Sequence, residues 1–160
     1  MIRQASMKDM DNIREIYSCA RAFMAANGNP SQWGSTYPPD ELICADIDAH
    51  ITYIIEENGH AGGLFVFGPG PDPDYAHIYD GSWLSDSPYG VIHRVAGNGT
   101  MHGLMPLITQ YCAAVMPHLR ADTHADNIPM QHQLEKCGFI RCGTVYIRGG
   151  SPRIAFEKLP

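Results

Sequence analysis

Lysine is the scarcest charge in this chain. Only Lys8, Lys136 and Lys158 occur, and no run of basic residues is present. The formal net charge is -6, with 18% of residues charged. Neutralising a nucleic-acid backbone takes clustered Lys and Arg, so a nucleic acid is excluded as the expected partner. Long apolar runs are missing as well. Nothing approaches the roughly 20 residues that span a bilayer, so no membrane partner is expected. The five cysteines, Cys19, Cys44, Cys112, Cys137 and Cys142, contain no C-x-x-C pair. An odd, scattered set without a secretory leader is expected to be reduced thiols in a cytoplasmic protein. Internal repeats and low-complexity tracts are absent too. With 44% hydrophobic residues over 160 positions, the expectation is one domain, residues 1–160, around one core.

What is present is organised around the stretch from Val91 to Met116. Val91 to Ala96 reads as a strand, Gly97 to Gly103 as a glycine-bearing turn, and an amphipathic helix follows from Leu104. Such a turn aims several backbone N–H groups at one point, and the helix N-terminus adds partial positive charge. The corner suits an anion, typically a phosphate. A plain strand-to-helix joint has the same outline, so the segment Leu119 to Phe139 must supply specificity.

The rest falls into place by periodicity. Ile2 to Ala5 is a first strand. Ser6 with Asp9 resembles a capping box that opens a helix over residues 7–26, on the spacing of Met10, Ile13, Tyr17, Ala20 and Met24. Asn27-Gly28 ends it. Residues 29–38 form a loop whose aromatics, Trp33 and Tyr37, are candidates for a substrate wall or for pinning the loop. A second helix runs from Pro39 to about Ala49, with Leu42, Ile43 and Ile47 inward. Thr52 to Glu57, Asn58-Gly59 and Ala61 to Phe67 spell a hairpin with a tight turn.

Residues 68–90 carry prolines that break strands and four large aromatics, Tyr75, Tyr79, Trp83 and Tyr89. The expectation is a packed excursion, helical over Tyr75 to Tyr79, that covers the sheet or walls a pocket. In the helix after the turn, Leu104, Leu107, Ile108, Tyr111, Cys112 and Val115 are read as the apolar face. Pro106 is tolerated in its first turn and Pro117 stops it. Leu119 to Thr123 returns as a strand. Asn127 caps a short helix with Ile128, Met130, Leu134 and Cys137 inward. Phe139 to Ile147 and Arg153 to Lys158 are the closing strands, joined at Gly149-Gly150. The strand-helix-strand unit from Val91 to Thr123 is expected to be parallel and the hairpins antiparallel. The fold class is α+β: a mixed, mostly antiparallel sheet of about seven strands with helices on both faces.

This order, Thr123-His124-Ala125-Asp126-Asn127, and Leu134-Glu135-Lys136-Cys137-Gly138-Phe139 together resemble the GNAT superfamily of acyl-CoA-dependent N-acyltransferases. Gly28 to Trp33, Tyr75-x-x-Ile78 and Tyr89 to Arg94 resemble a bacterial subgroup of it. The resemblance spans nearly the whole chain. It implies that the turn's amides hold the pyrophosphate of coenzyme A, with acetyl-CoA as co-substrate and no metal. The superfamily pattern Gln/Arg-x-x-Gly-x-Gly/Ala falls on Thr100 to Met105, and only Gly103 is kept. The implied cofactor-binding residues are Met101, His102, Gly103, Leu104 and Met105. Arg94, Val95 and Ala96 would meet the pantetheine arm where this strand splays from the next, with Asn127 near that arm. The implied acceptor is an amine of a small molecule or peptide, walled by Trp33, Tyr37, Tyr79 and Trp83. A homodimer is compatible with the resemblance.

Acylating an amine requires a deprotonated nucleophile and a proton for the leaving thiolate. Many superfamily members carry the acid Tyr where this chain has Leu134. Tyr146 is then the candidate acid, with Tyr111 behind it. His93 on the strand is the candidate base, because histidine titrates near neutrality; His124 is second. The alternate residues Asp122, His124 and Asp126 admit a metal reading, which the superfamily pattern absorbs without one. Cys142 has no base beside it in sequence and reads as a packed thiol. The expected activity is N-acetyl transfer by direct attack. The alternatives are a coenzyme A-binding sensor without turnover, which the missing tyrosine favours, and another small-molecule enzyme on a related sheet.

Overall fold

Alternating and helical apolar spacings decide where this backbone becomes strand and where helix. The computed structural model describes residues 1–147 and 149–160. The strands are β1 (Ile2–Gln4), β2 (Thr52–Glu57), β3 (His60–Pro69), β4 (Gly90–Gly97), β5 (Leu119–Thr123), β6 (Ile140–Ile147) and β7 (Ser151–Lys158). The helices are α1 (Met10–Ala26), α2 (Asp40–Asp48), α3 (Leu104–Val115) and α4 (Ile128–Lys136). The seven strands follow the order β1-β2-β3-β4-β5-β7-β6. β4 and β5 pair in parallel, whereas β1–β2, β2–β3, β5–β7 and β6–β7 are antiparallel. This is the mixed α+β sheet that the spacing predicts. Among the described residues no helix is long and apolar enough to cross a membrane.

By contacts the chain divides into two compact units: Met1–Phe67 with Arg94–Leu104, and Gly68–His93 with Met105–Pro160. In the first, α1 buries Met10, Ile13, Ile16, Tyr17 and Ala20, one stripe at helical spacing. That stripe shares a core with Trp33, Ile43, Ile47, Ile54, Leu64 and Ala96. Each large aliphatic side chain so buried contributes roughly 1.5–3 kcal/mol. The Asp9 carboxylate accepts from the Ser6 N–H, closing the turn Met7–Asp9 that leads into α1. Arg3 donates to both Asp9 oxygens, at 2.7 and 3.0 Å, and holds that carboxyl down at about 2. Asn58 (φ 52°) and Gly59 (φ 78°) make the β2–β3 turn, both in the left-handed region that a type I′ turn requires.

The second unit is built on β5, β7 and β6, and here two expectations are corrected. The buried face of α3 is Met105, Ile108, Thr109 and Cys112, whereas Leu107 and Val115 are exposed. The helix is apolar on most sides, so its hydrophobic pattern does not single out one face. In α4, Ile128 lies exposed and the polar Gln131 is buried beside Leu134. Gln131 donates to the carbonyls of His124 and Ala125 and accepts from Arg141, so its amide is satisfied inside.

The excursion over residues 68–90 also differs from expectation. Its one helical turn is Pro73–Tyr75, and Tyr79 instead exchanges backbone hydrogen bonds with Thr144 of β6, at 2.7 and 2.8 Å. Gly81 lies against the same strand, where a Cβ would sit 1.9 Å from the Cys142 carbonyl oxygen. The obstacle is backbone and cannot swing away. Gly81→Ala should therefore destabilise the protein by at least about 1–3 kcal/mol in urea unfolding.

Candidate functional site

The glycine-bearing turn between β4 and α3 is fixed by its own side chains and by β3. The Asn98 N–H donates to the Gly62 carbonyl at 3.1 Å, and its side-chain amide donates to that of Ala61. The Asn98 Oδ1 accepts from the Thr100 N–H and hydroxyl. Gly62 and Gly63 make this approach feasible. A Cβ on Gly62 would lie 2.4 Å from the Met101 sulfur, and one on Gly63 3.0 Å from a Leu104 methyl. Past Thr100 the turn faces outward: His102 and Gly103 are exposed. Gly103 takes φ 69°, with open space where a side chain would stand. Among the described residues, the N–H groups of Met101, His102 and Gly103 make no hydrogen bond. The first N–H groups of α3, from Leu104 on, have no intrahelical acceptor either. Met105 buries its side chain in the core and can offer only backbone.

The strand before this turn leaves regular β geometry at Arg94, whose φ is 49°. A non-glycine residue there is uncommon and is strained by about 1 kcal/mol or more. Its guanidinium donates to Asp46, a buried acid on α2 that sequence reasoning did not single out. Val95 is half-buried and Ala96 belongs to the core. Trp33 is a core residue as well, edge-on to Tyr17 at 5.6 Å, so little of its ring can line a wall. Tyr37 leans on Trp33, and its carbonyl accepts from Arg21.

In the second unit the parallel ladder runs Gly90↔Leu119, Val91↔Arg120, Ile92↔Ala121 and stops one residue short of His93. Strand alternation and register put His93 on the sheet face that also carries Arg120, Asp122, Arg153 and Glu157. The excursion supplies partners for that face. His93 Nε2 is 2.8 Å from Asp72 Oδ2. A carboxylate only accepts, so Nε2 carries the proton and Nδ1 is left as the basic nitrogen. Tyr75, fully buried beside His93, donates to Asp122 at 2.6 Å. Burial, with Asp122 adjacent, lifts its hydroxyl well above the usual tyrosine range, so it stays a donor.

Glu157 is the best-connected group on this face. Completely buried, it accepts from the Leu84 N–H, from His118 Nε2 at 2.6 Å and from Arg120 Nε at 3.0 Å. Arg120 lies between the Trp83 and Tyr89 rings, 4.0 Å from each centroid, and its Nη2 donates to the Ser85 carbonyl. Burial opposes the charge on Glu157, but these donors outweigh it and hold the carboxyl below its ordinary range. Burial pushes the neighbouring Cys142 thiol up to about 11, so it is no thiolate at neutral pH.

Other expected participants stand elsewhere. Tyr146 is on β6, separated from β4 by β5 and β7, roughly 14 Å away at about 4.8 Å per strand. It stacks edge-on with Tyr79, and the two half-exposed rings lie at this sheet edge rather than beside His93. Asn127 spends its Oδ1 on the Met130 N–H as the α4 cap. Asp122 accepts from the Tyr75 hydroxyl, with Arg153 Nε 3.8 Å away.

No protein-family model and no curated protein matches the chain. Solved structures do. An acetyltransferase of the GNAT family from Streptococcus agalactiae 2603 is 30% identical, with 100% of this chain and 95% of that one covered and a TM-score of 0.90. An aminoglycoside acetyltransferase solved with coenzyme A and kanamycin is 19% identical over 99% and 94%, TM-score 0.67. A Salmonella typhimurium protein solved with its cofactor acetyl-CoA is 17% identical over 100% and 94%, TM-score 0.65. The latter two share the fold.

The Glu157 network carries a signed pH dependence. A carboxyl whose folded pKa is depressed stabilises the protein above its unfolded pKa of about 4.3 and loses that contribution as pH falls through the folded value. Glu157→Gln should cost about 3 kcal/mol at pH 7 in urea unfolding, since it strands the buried Arg120 charge. The gap between variant and parent should narrow below about pH 4.

Proposed function

The chain belongs to the GNAT family of acetyltransferases, and from that premise we propose that it moves an acetyl group from acetyl-CoA to a primary amine by direct attack. The single observation that carries the reading is the row of N–H groups at Met101, His102 and Gly103, which make no hydrogen bond among the described residues, the latter two on exposed residues. They abut the N-terminus of a 12-residue helix, an arrangement that suits a pyrophosphate. Leu104 and Met105 extend the row as backbone donors. The departures at Thr100 and Met105 from the superfamily pattern remove side chains and leave the amides in place. Arg94, Val95 and Ala96 would offer strand backbone to the pantetheine arm, and the end of the β4–β5 ladder at Ile92 supports that role. Acetyl-CoA supplies the thioester carbonyl and the thiolate leaving group.

The rest is done by this chain's own side chains. His93 takes the proton of the attacking ammonium at Nδ1, and Asp72 fixes the ring and stabilises the imidazolium that forms. Such a base contributes roughly 10²–10⁴-fold. The leaving thiolate takes its proton from water, because Leu134 stands where many relatives have tyrosine and Tyr146 lies strands away. Trp83, on the excursion, is the acceptor-wall residue that packs on Tyr75, the neighbour of His93, at 5.3 Å.

Coenzyme A should raise the melting temperature where adenosine or unrelated nucleotides do not. Acetyl-CoA with an amine panel should release thiol. His93→Ala should lower kcat/KM by about 10²-fold or more, and Asp72→Asn, which leaves the ring without its orienting carboxylate, should lower it by less. Coenzyme A binding without thiol release from any amine would instead favour a sensor.

A further inference from the structure

The excursion and β5 enclose an open cavity of about 410 Å³, lined by Asp72, Tyr75, Trp83, Asp86, Tyr89 and Arg120, with Pro71, Pro73 and Ala76 at its edge. Arg120 is its most constrained group. The side chain is 5% exposed, clamped between two aromatic rings, with Nε on Glu157 and Nη2 on the Ser85 carbonyl. Its Nη1 makes no hydrogen bond among the described residues, although the side chain lines the cavity. A guanidinium fixed on two sides and open on the third is a preorganised donor for a carboxylate oxygen. The same cavity holds Asp72, whose other oxygen orients His93. Arg120 pairs with Val91 in the sheet, two residues before His93 and on the same face, so their Cα atoms lie roughly 8 Å apart.

We propose that this cavity binds the carboxylate of the acceptor, so that the acceptor is an amino acid-type molecule carrying its amine and carboxylate together. The proposal rests on the acetyl-transfer reading and narrows it. The carboxylate takes the Arg120 Nη1–H, its carbon skeleton lies against Trp83 and Tyr89, and the amine reaches toward His93. A polyamine or a peptide N-terminus lacks that carboxylate next to the reacting amine and leaves the donor unused. Asp86, exposed and facing the same cavity, disfavours a carboxylate that is not held by Arg120.

The test pairs each amino acid with its own carboxamide: phenylalanine, lysine, and 6-aminohexanoate for a longer span. The carboxamide's α-amine is the less basic, so free-base supply works against the proposal. Thiol release from acetyl-CoA should still favour at least one acid over its amide by roughly tenfold in kcat/KM, the worth of one hydrogen bond to a charged group. Arg120→Lys keeps a cation beside Glu157 but loses the planar fork, and should bring that ratio toward one through KM. Amides equal to or better than acids in every pair overturn the proposal while acetyl transfer stands. If no amine releases thiol, the acetyl-transfer reading fails, and calorimetric binding of the same pairs decides this one alone. If Arg120→Lys does not fold, the parent protein's acid-to-amide ratio is decisive.

Discussion

A carboxylate removed from water must have its oxygens satisfied, and Glu157 sets that condition for half of this molecule. Donors from Leu84, His118 and Arg120 meet it, with the Cys142 thiol beside them. Leu84 belongs to the proline-rich excursion, which has few regular hydrogen bonds of its own. Arg120 extends the requirement, because a buried guanidinium needs its own acceptors and faces: the Ser85 carbonyl and the Trp83 and Tyr89 rings. A 23-residue segment from 68 to 90 is thus anchored by charge at its middle. The placement of Asp72 on His93 and of Tyr75 on Asp122 follows from where that anchor holds it. An apolar substitute could fill the volume but would not fix the same contacts.

Much of the architecture was readable in the residues. Asn58-Gly59 dictates its turn, the stripe on α1 dictates its face, and Asn127 dictates where α4 begins. The seven strands and their directions follow from the hairpins and the one parallel crossover. Less could be read where composition is ambiguous. α3 is apolar almost all round, so its spacing does not show that Leu107 and Val115 face outward. Ile128 in the first turn of α4 is exposed for want of a neighbour, a tertiary fact no local pattern carries.

The candidate site was legible in its backbone and less so in its charges. Glycines at 97, 99 and 103 announce the turn, and Gly62-Gly63 inside a strand marks a close approach there. Nothing in a formal charge reveals which carboxylates go inside, so Asp46, Asp72 and Glu157 carry no functional signal in the sequence, and Asp122 carries only that of a metal pattern. Their roles depend on register across β4, β5 and β7. His93 could be picked out as a histidine on the right strand, but not the carboxylate that orients it. Residue type alone recommends Tyr146, and strand order sets β5 and β7 between its strand and β4.

The crowding of Gly62 against Met101 reaches beyond this one chain. Strand and turn share a single volume there, which either residue can occupy but not both. Among descendants of this sequence, positions 62 and 101 should therefore drift as a pair. A bulkier residue on the strand would be accompanied by a shorter one in the turn, and a lineage that enlarged the strand residue alone would have to shift the turn with it.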